Sequence, residues 1–226
     1  TIMTDFSTKE LKALLPDLKF PVLSMSVLFV VSILVAHILH IRRNRQGLFE
    51  SMFFISNTVF VGLAVNVALF GQKSLPYVLV YYMANTTFFW TLGVYLIGRD
   101  GGQRGHLNWR QTLKQIFSPP LLGFALAVVL VLLHVKLPPF LMADFGYIGG
   151  LTIPLSMIFI GISVANAGIT HIRFNRYNLG VLFGRFLLAP ALMSLLVLPS
   201  SMPVLMKQVF ILQSAMPAMT NAPVVA

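Results

Sequence analysis

The sequence predicts an all-α integral membrane protein with about seven visible spans, and three observations carry that prediction. The chain is 57% hydrophobic and only 10% charged over 226 residues, with a mean hydropathy of +0.85, which is too apolar for a water-soluble domain of ordinary make-up. Seven apolar stretches approach the length that a membrane demands, since a helix rising ~1.5 Å per residue needs about 20 residues to cross a hydrocarbon core of roughly 30 Å. Two of these stretches, one in each half, are interrupted at mid-depth by polar residues and proline. A membrane helix tolerates such a break only where neighbouring protein or a water-filled cavity satisfies the freed backbone groups.

Along the chain, the leading segment Ser7 to Leu18 mixes Lys9, Glu10, Lys12 and Asp17 with Leu11, Leu14 and Leu15, the make-up of an interfacial connector. Spans follow at about Val22 to Ile41, Ser51 to Phe70, Pro76 to Ile97, Pro119 to Val135, Tyr147 to Ile169, Leu179 to Leu198 and Val204 to Ala226. The second contains Ser56, Asn57 and Thr58 before Gly62; the seventh contains Gln213, Ser214, Pro217, Thr220, Asn221 and Pro223. Gly180 and Gly184 form a small-xxx-small pair that lets another helix approach closely.

The net charge of +10 is distributed as membrane topology distributes it. Arg42, Arg43 and Arg45, then Arg99, Arg104, Arg110 and Lys114, then Arg173 and Arg176 occupy alternate loops, against Lys73, Lys136 and Lys207 on the other side. The positive-inside bias makes the nine-residue side cytoplasmic and excludes nucleic acid as the reason for the charge. The chain has no Cys, hence no disulfide, thiolate metal site or Cys nucleophile. Both ends read as cut, so the expected organisation is an outer connector at 1–21, the last three spans of a first repeat at 22–98, a cytoplasmic linker at 99–117 and the first four spans of a second repeat at 118–226. With two spans before the fragment and one after, each half has five spans, and an odd number inverts one repeat relative to the other.

The motifs at the two interruptions resemble those of the auxin efflux carrier family: Asn57 and Thr58 with Gly62 and Gly71 in the second span, Gln213 to Pro217 and Pro223 in the seventh, and Gly184 to Met193 in the span before it. The resemblance covers about Lys9 to Ala226. It implies a ten-span carrier of inverted five-helix repeats, with two crossed broken helices beside which organic anions bind, and a scaffold part that often forms a homodimer. Ser56 before the Asn, Ala64 where plant members commonly have Pro, and a short central loop depart from the plant pattern. They point to a bacterial dicarboxylate or other small organic-anion carrier of the malate-permease kind, in the bacterial inner membrane.

The candidate substrate-binding residues are Asn57, Thr58, Pro217, Thr220, Asn221 and Arg185. Half-helix N-termini attract carboxylates, and Asn57 can donate its amide to the same oxygens; alternatively it only satisfies the backbone freed by the break. Arg185 lies inside a span, with no Asp or Glu deep in any visible span to pair with it. A substrate anion, half-helix carbonyls or snorkelling to lipid phosphates are its three options. Tyr81, Tyr82, Asn85, Thr86 and Thr87 place further polar groups on the third span. His37 and His40 lack a third ligand and make a poor metal site, and His134 is the best visible titratable candidate in a membrane segment. No metal or cofactor is expected. An intramembrane hydrolase lacks its motifs here, so the chain is expected not to be an enzyme. A sodium- or proton-coupled symporter of similar crossed-helix architecture is the alternative, and a channel the more distant one.

Overall fold

The computed structural model describes residues 15–101, 137–167 and 175–219, with scattered positions between 122 and 135. Among these, every regular element is helical. A 3₁₀ turn at Leu15–Leu18 leads into α1 (Lys19–Ile38), followed by α2 (Arg43–Phe54). After an extended break, α3 covers a π-helical turn Thr58–Leu63 and then Ala64–Phe70. A 3₁₀ turn (Gln72–Ser74) precedes α4, which is built from Leu75–Phe88, a π turn Phe89–Gly93 and Val94–Asp100. Helices α5 (Pro139–Gly150) and α6 (Thr152–Ala167) come next. Then α7 joins Arg176–Phe183, a π turn Gly184–Leu188 and Ala189–Val197, and α8 is Val204–Ser214.

Among the described residues two helices, Pro16–Ile38 and Arg176–Val197, are long and apolar enough to cross a membrane. The span predicted at Pro76 to Ile97 is a continuous helical run within α4, while others come out differently. Those at 51–70 and 204–226 are interrupted, as their polar residues dictate. The span predicted at Tyr147 to Ile169 instead divides at Leu151 into two helices, α5 beginning earlier, at Pro139, where a proline fits the first helical turn because its missing N–H is unpaired there anyway. Most of the span at 119–135, His134 and most of the leading connector lie outside the described residues.

Helix α1 shows how such a chain packs. Its inner stripe, Ser24, Met25, Leu28, Ser32 and Ala36, is buried, while Val22, Leu23, Val27, Val30, Ile33, Leu34 and Ile38 are exposed. Both faces are apolar, as expected of a helix with protein on one side and lipid on the other. The core lies among α1, α2, α4, α7 and α8, where Phe54 meets Phe29 and Phe88 edge-on at centroid distances of 5.3 and 6.3 Å, and Tyr81 meets Phe210 at 5.9 Å. The Gly180 and Gly184 pair serves an intramolecular contact: added Cβ atoms would collide with Leu39 and Phe49 and with the Phe53 ring. Helix α5 buries none of its residues, and α6 meets α3 through Phe159 stacked on Phe60.

The described residues of the three basic tracts, Arg42 and Arg45, Arg99 and Arg176, gather at one end of the bundle. The Asp100 carboxylate at the end of α4 accepts from the backbone N–H groups of Gly47 and Leu48 near the start of α2, and the charges of Arg42 and Arg45 act on Tyr177 at the start of α7. Helix α2 therefore departs from the end that carries Arg99 and Arg176. Helix α8 departs from the opposite end, reached by α7 after Val197, where Lys207 bonds the carbonyls of Leu198 and Ser200.

Candidate functional site

The two interrupted helices approach from opposite ends, and their breaks meet. Helix α2 stops at Phe54, with Ile55 already extended (φ −103°, ψ 129°). Helix α8 stops at Ser214, because Pro217 offers no N–H with which to continue. The freed segments run antiparallel, Ser56 opposite Ala218, and the Asn57 N–H donates to the Pro217 carbonyl at 2.8 Å. This pairing uses one backbone donor and one acceptor freed by the breaks.

The remaining groups at the first break are satisfied by one side chain. Asn85 on α4 accepts from the Ser56 N–H at 3.0 Å through Oδ1 and donates to the Ser56 carbonyl at 2.8 Å through Nδ2. A carboxamide carries the same donor and acceptor pair as a peptide, so Asn85 replaces a neighbouring strand at a single residue. Tyr81, one helical turn earlier, places its hydroxyl against the side chains of Ser56 and Arg185.

The second break exposes carbonyls, and a cation meets them. Arg185 is 1% exposed. Its Nε donates to the Met216 carbonyl at 3.2 Å and its Nη1 to the Phe53 carbonyl at 3.3 Å, while Nη2 donates to the Ser214 carbonyl. One planar guanidinium thus ties the C-terminal end of α2 to that of α8, where the helix dipoles are negative. The π turn that carries it precedes Pro190, which has no N–H for the carbonyl four residues earlier, a cause of local helix widening. Of the three options for Arg185, the half-helix carbonyls are realised. No described Asp or Glu pairs with it; Glu50 pairs with Arg99 instead.

Asn57, 2% exposed, caps α3: its Oδ1 accepts from the Phe60 N–H at 3.1 Å. That role fixes which end of the amide is Nδ2, and Nδ2 is buried without a partner. Thr58 is equally buried, and its carbonyl accepts from Gln213 Nε2 at 3.4 Å. Gln213 lies against Gly62, where a Cβ would overlap its carboxamide, which explains a glycine one turn after the cap. Asn57, Thr58, Pro217 and Arg185 are therefore brought together, whereas Thr220 and Asn221 lie outside the described residues. Ser56 and Gln213 belong to the junction too, and their signal was a polar residue within each broken stretch. Among the described residues no group of His, Asp and Glu could hold a metal ion.

The family model described as membrane transport protein matches residues 2–226. An uncharacterized transporter of Methanocaldococcus jannaschii is 26% identical over 96% of this chain and 70% of its own length. A second uncharacterized transporter, from Methanothermobacter thermautotrophicus, is 31% identical over 48% of this chain and 34% of its own. No solved structure matches significantly. The chain belongs to the membrane transport protein family, the auxin efflux carrier-like group of membrane transporters.

Proposed function

We propose that this chain is the core of a secondary carrier that moves a small organic anion, a dicarboxylate or related carboxylate, by alternating access, with the substrate held where the two broken helices cross. In this reading the protein is a multi-pass carrier of the bacterial inner membrane, built of inverted five-helix repeats and able to form a homodimer. The observation that carries it is the pairing of a buried cation that no described carboxylate neutralises with a buried amide donor that has no partner, Arg185 and Asn57 Nδ2, at one junction. A low-dielectric site with surplus positive charge and an unused donor suits an anion. The approach of α2 and α8 from opposite ends supports the inverted arrangement.

Arg185 acts from behind the junction. Its N–H groups are engaged by carbonyls, so it supplies field while the Asn57 amide and the α3 N-terminus supply contact. Pro217 keeps α8 interrupted and its carbonyl paired to Asn57. Net outward movement of one negative charge down an inside-negative potential of ~100 mV gains about 2.3 kcal/mol, so anion export needs no sodium. Sodium-free uptake and export assays over labelled mono- and dicarboxylates test the reading. Transport that appears only with sodium rejects it in favour of a sodium symporter, and flux without counterflow rejects it in favour of a channel.

A further inference from the structure

The charged residues between α1 and the first break read as loop residues in the sequence, yet Glu50 is 1% exposed. It is the buried carboxylate among the described residues, and it lies on α2, the helix that ends in the junction. Its Oε1 accepts from Gln46 Nε2 at 2.8 Å. Its Oε2 is buried with no hydrogen-bond partner: the nearest cation, Arg99, stands at 3.5 Å with its side chain 46% exposed. Close packing creates this burial, since Gly47 lies so near α4 that a Cβ there would overlap the Leu96 carbonyl.

From α4 come Arg99, which favours the ionised form of Glu50, and Asp100, which opposes it; Gln46 comes from α2 itself. Helix α1 brings only exposed His37 near this end, and α7 brings Arg176 and Tyr177 at the rim and Arg185 at the break, none of which acts on the Glu50 carboxyl. Burial outweighs the two favourable partners and pushes the carboxyl above the usual carboxylate range.

We propose that Glu50 is a proton-binding site of this carrier, linked to the anion site at the junction. The inference rests on the anion reading for its linkage and on the geometry alone for the proton. Oε2 takes a proton from water at the half-exposed Arg99 rim and returns it there, so the carboxylate becomes a neutral carboxyl with nothing else consumed. Glu50 precedes Phe53 and Phe54, the last residues of α2, by three and four positions, roughly 5–6 Å along the helix. An ionised Glu50 therefore repels a bound anion and a protonated one does not. By reciprocity, bound anion raises the proton affinity of Glu50 to the same degree that the proton raises anion affinity.

The test uses the intact wild-type protein with Glu50→Gln and Glu50→Asp. Labelled succinate uptake into sodium-free proteoliposomes is followed against pH, and the protonated-carboxyl infrared band of purified protein is titrated without substrate. Wild-type uptake should rise as pH falls, by at most about ten-fold per unit for one linked proton, and Glu50→Gln should lose that dependence together with one titrating band. Glu50→Asp should keep a titrating band. If Glu50→Gln does not fold, a wild-type band that titrates and is displaced in Glu50→Asp supports the site. A wild-type pH profile retained in Glu50→Gln overturns it. A band that titrates in protein that moves no carboxylate rejects the anion reading and leaves the proton site standing; succinate transport with no titrating band does the reverse.

Discussion

The two breaks solve the same problem with different chemistry. The first frees both a donor and an acceptor at Ser56, and a carboxamide answers both from Asn85. The second frees carbonyls at Ser214 and Met216, and a guanidinium answers them from Arg185 while reaching back to Phe53. Which groups a break exposes decides which side chain must be buried beside it. The consequence is electrostatic: the neutral clamp leaves the junction uncharged, whereas the cationic clamp leaves it positive.

Removing the cationic clamp should have the largest effect. Arg185→Leu strands three carbonyls and should cost on the order of 3–5 kcal/mol, read as a fall in thermal unfolding temperature, with transport abolished. Arg176→Gln, at the exposed rim, should change neither by more than a small amount. Equal effects would mean that the two breaks do not depend on a shared cation. Arg185→Lys sharpens the point, since it keeps the charge and cannot reach three carbonyls at once.

Breaking the neutral clamp comes second. Asn85→Leu strands the Ser56 donor and acceptor at roughly 2–4 kcal/mol, and transport should fall with stability. Asn85→Asp should fare little better, because a carboxylate cannot donate to the Ser56 carbonyl. Retained stability in both variants would show that the first break is held by something other than Asn85.

Asn57→Ala is the third and the most informative for function. Losing the cap should cost about 1 kcal/mol of stability, while losing the free Nδ2 donor should weaken anion affinity by about ten- to hundred-fold. Gly62→Ala is the smallest test: the added Cβ meets only the end of the Gln213 side chain, so a modest stability loss is expected, with Gln213→Ala relieving it. A large loss that Gln213→Ala leaves unrelieved would mean that Gly62 serves the π turn itself.

How far the sequence carried is clear from particular residues. Polar residues and proline inside apolar stretches marked both breaks, because a lipid-exposed helix has no other reason to hold them. The Gly180 and Gly184 pair marked a close approach, although not the ring it approaches. Asn85 was visible only as a polar residue on a span, since its partner Ser56 is 29 positions away and no local period encodes that pairing. Glu50, one position before the expected span at Ser51 to Phe70, gave no sign of its burial, because burial of a residue beside a basic tract depends on the contact at Gly47 and Leu96. The turn at Leu151 was also missed: α5 and α6 are apolar all round, and such helices carry no facing information.

The central claim is that the meeting point of the two breaks binds a small carboxylate. Counterflow of labelled succinate in sodium-free proteoliposomes, compared between wild type and Asn57→Ala at equal folded protein, tests it most directly. The account predicts saturable counterflow in the wild type and its loss in Asn57→Ala. Undiminished counterflow in Asn57→Ala, or wild-type counterflow that requires sodium, would contradict it.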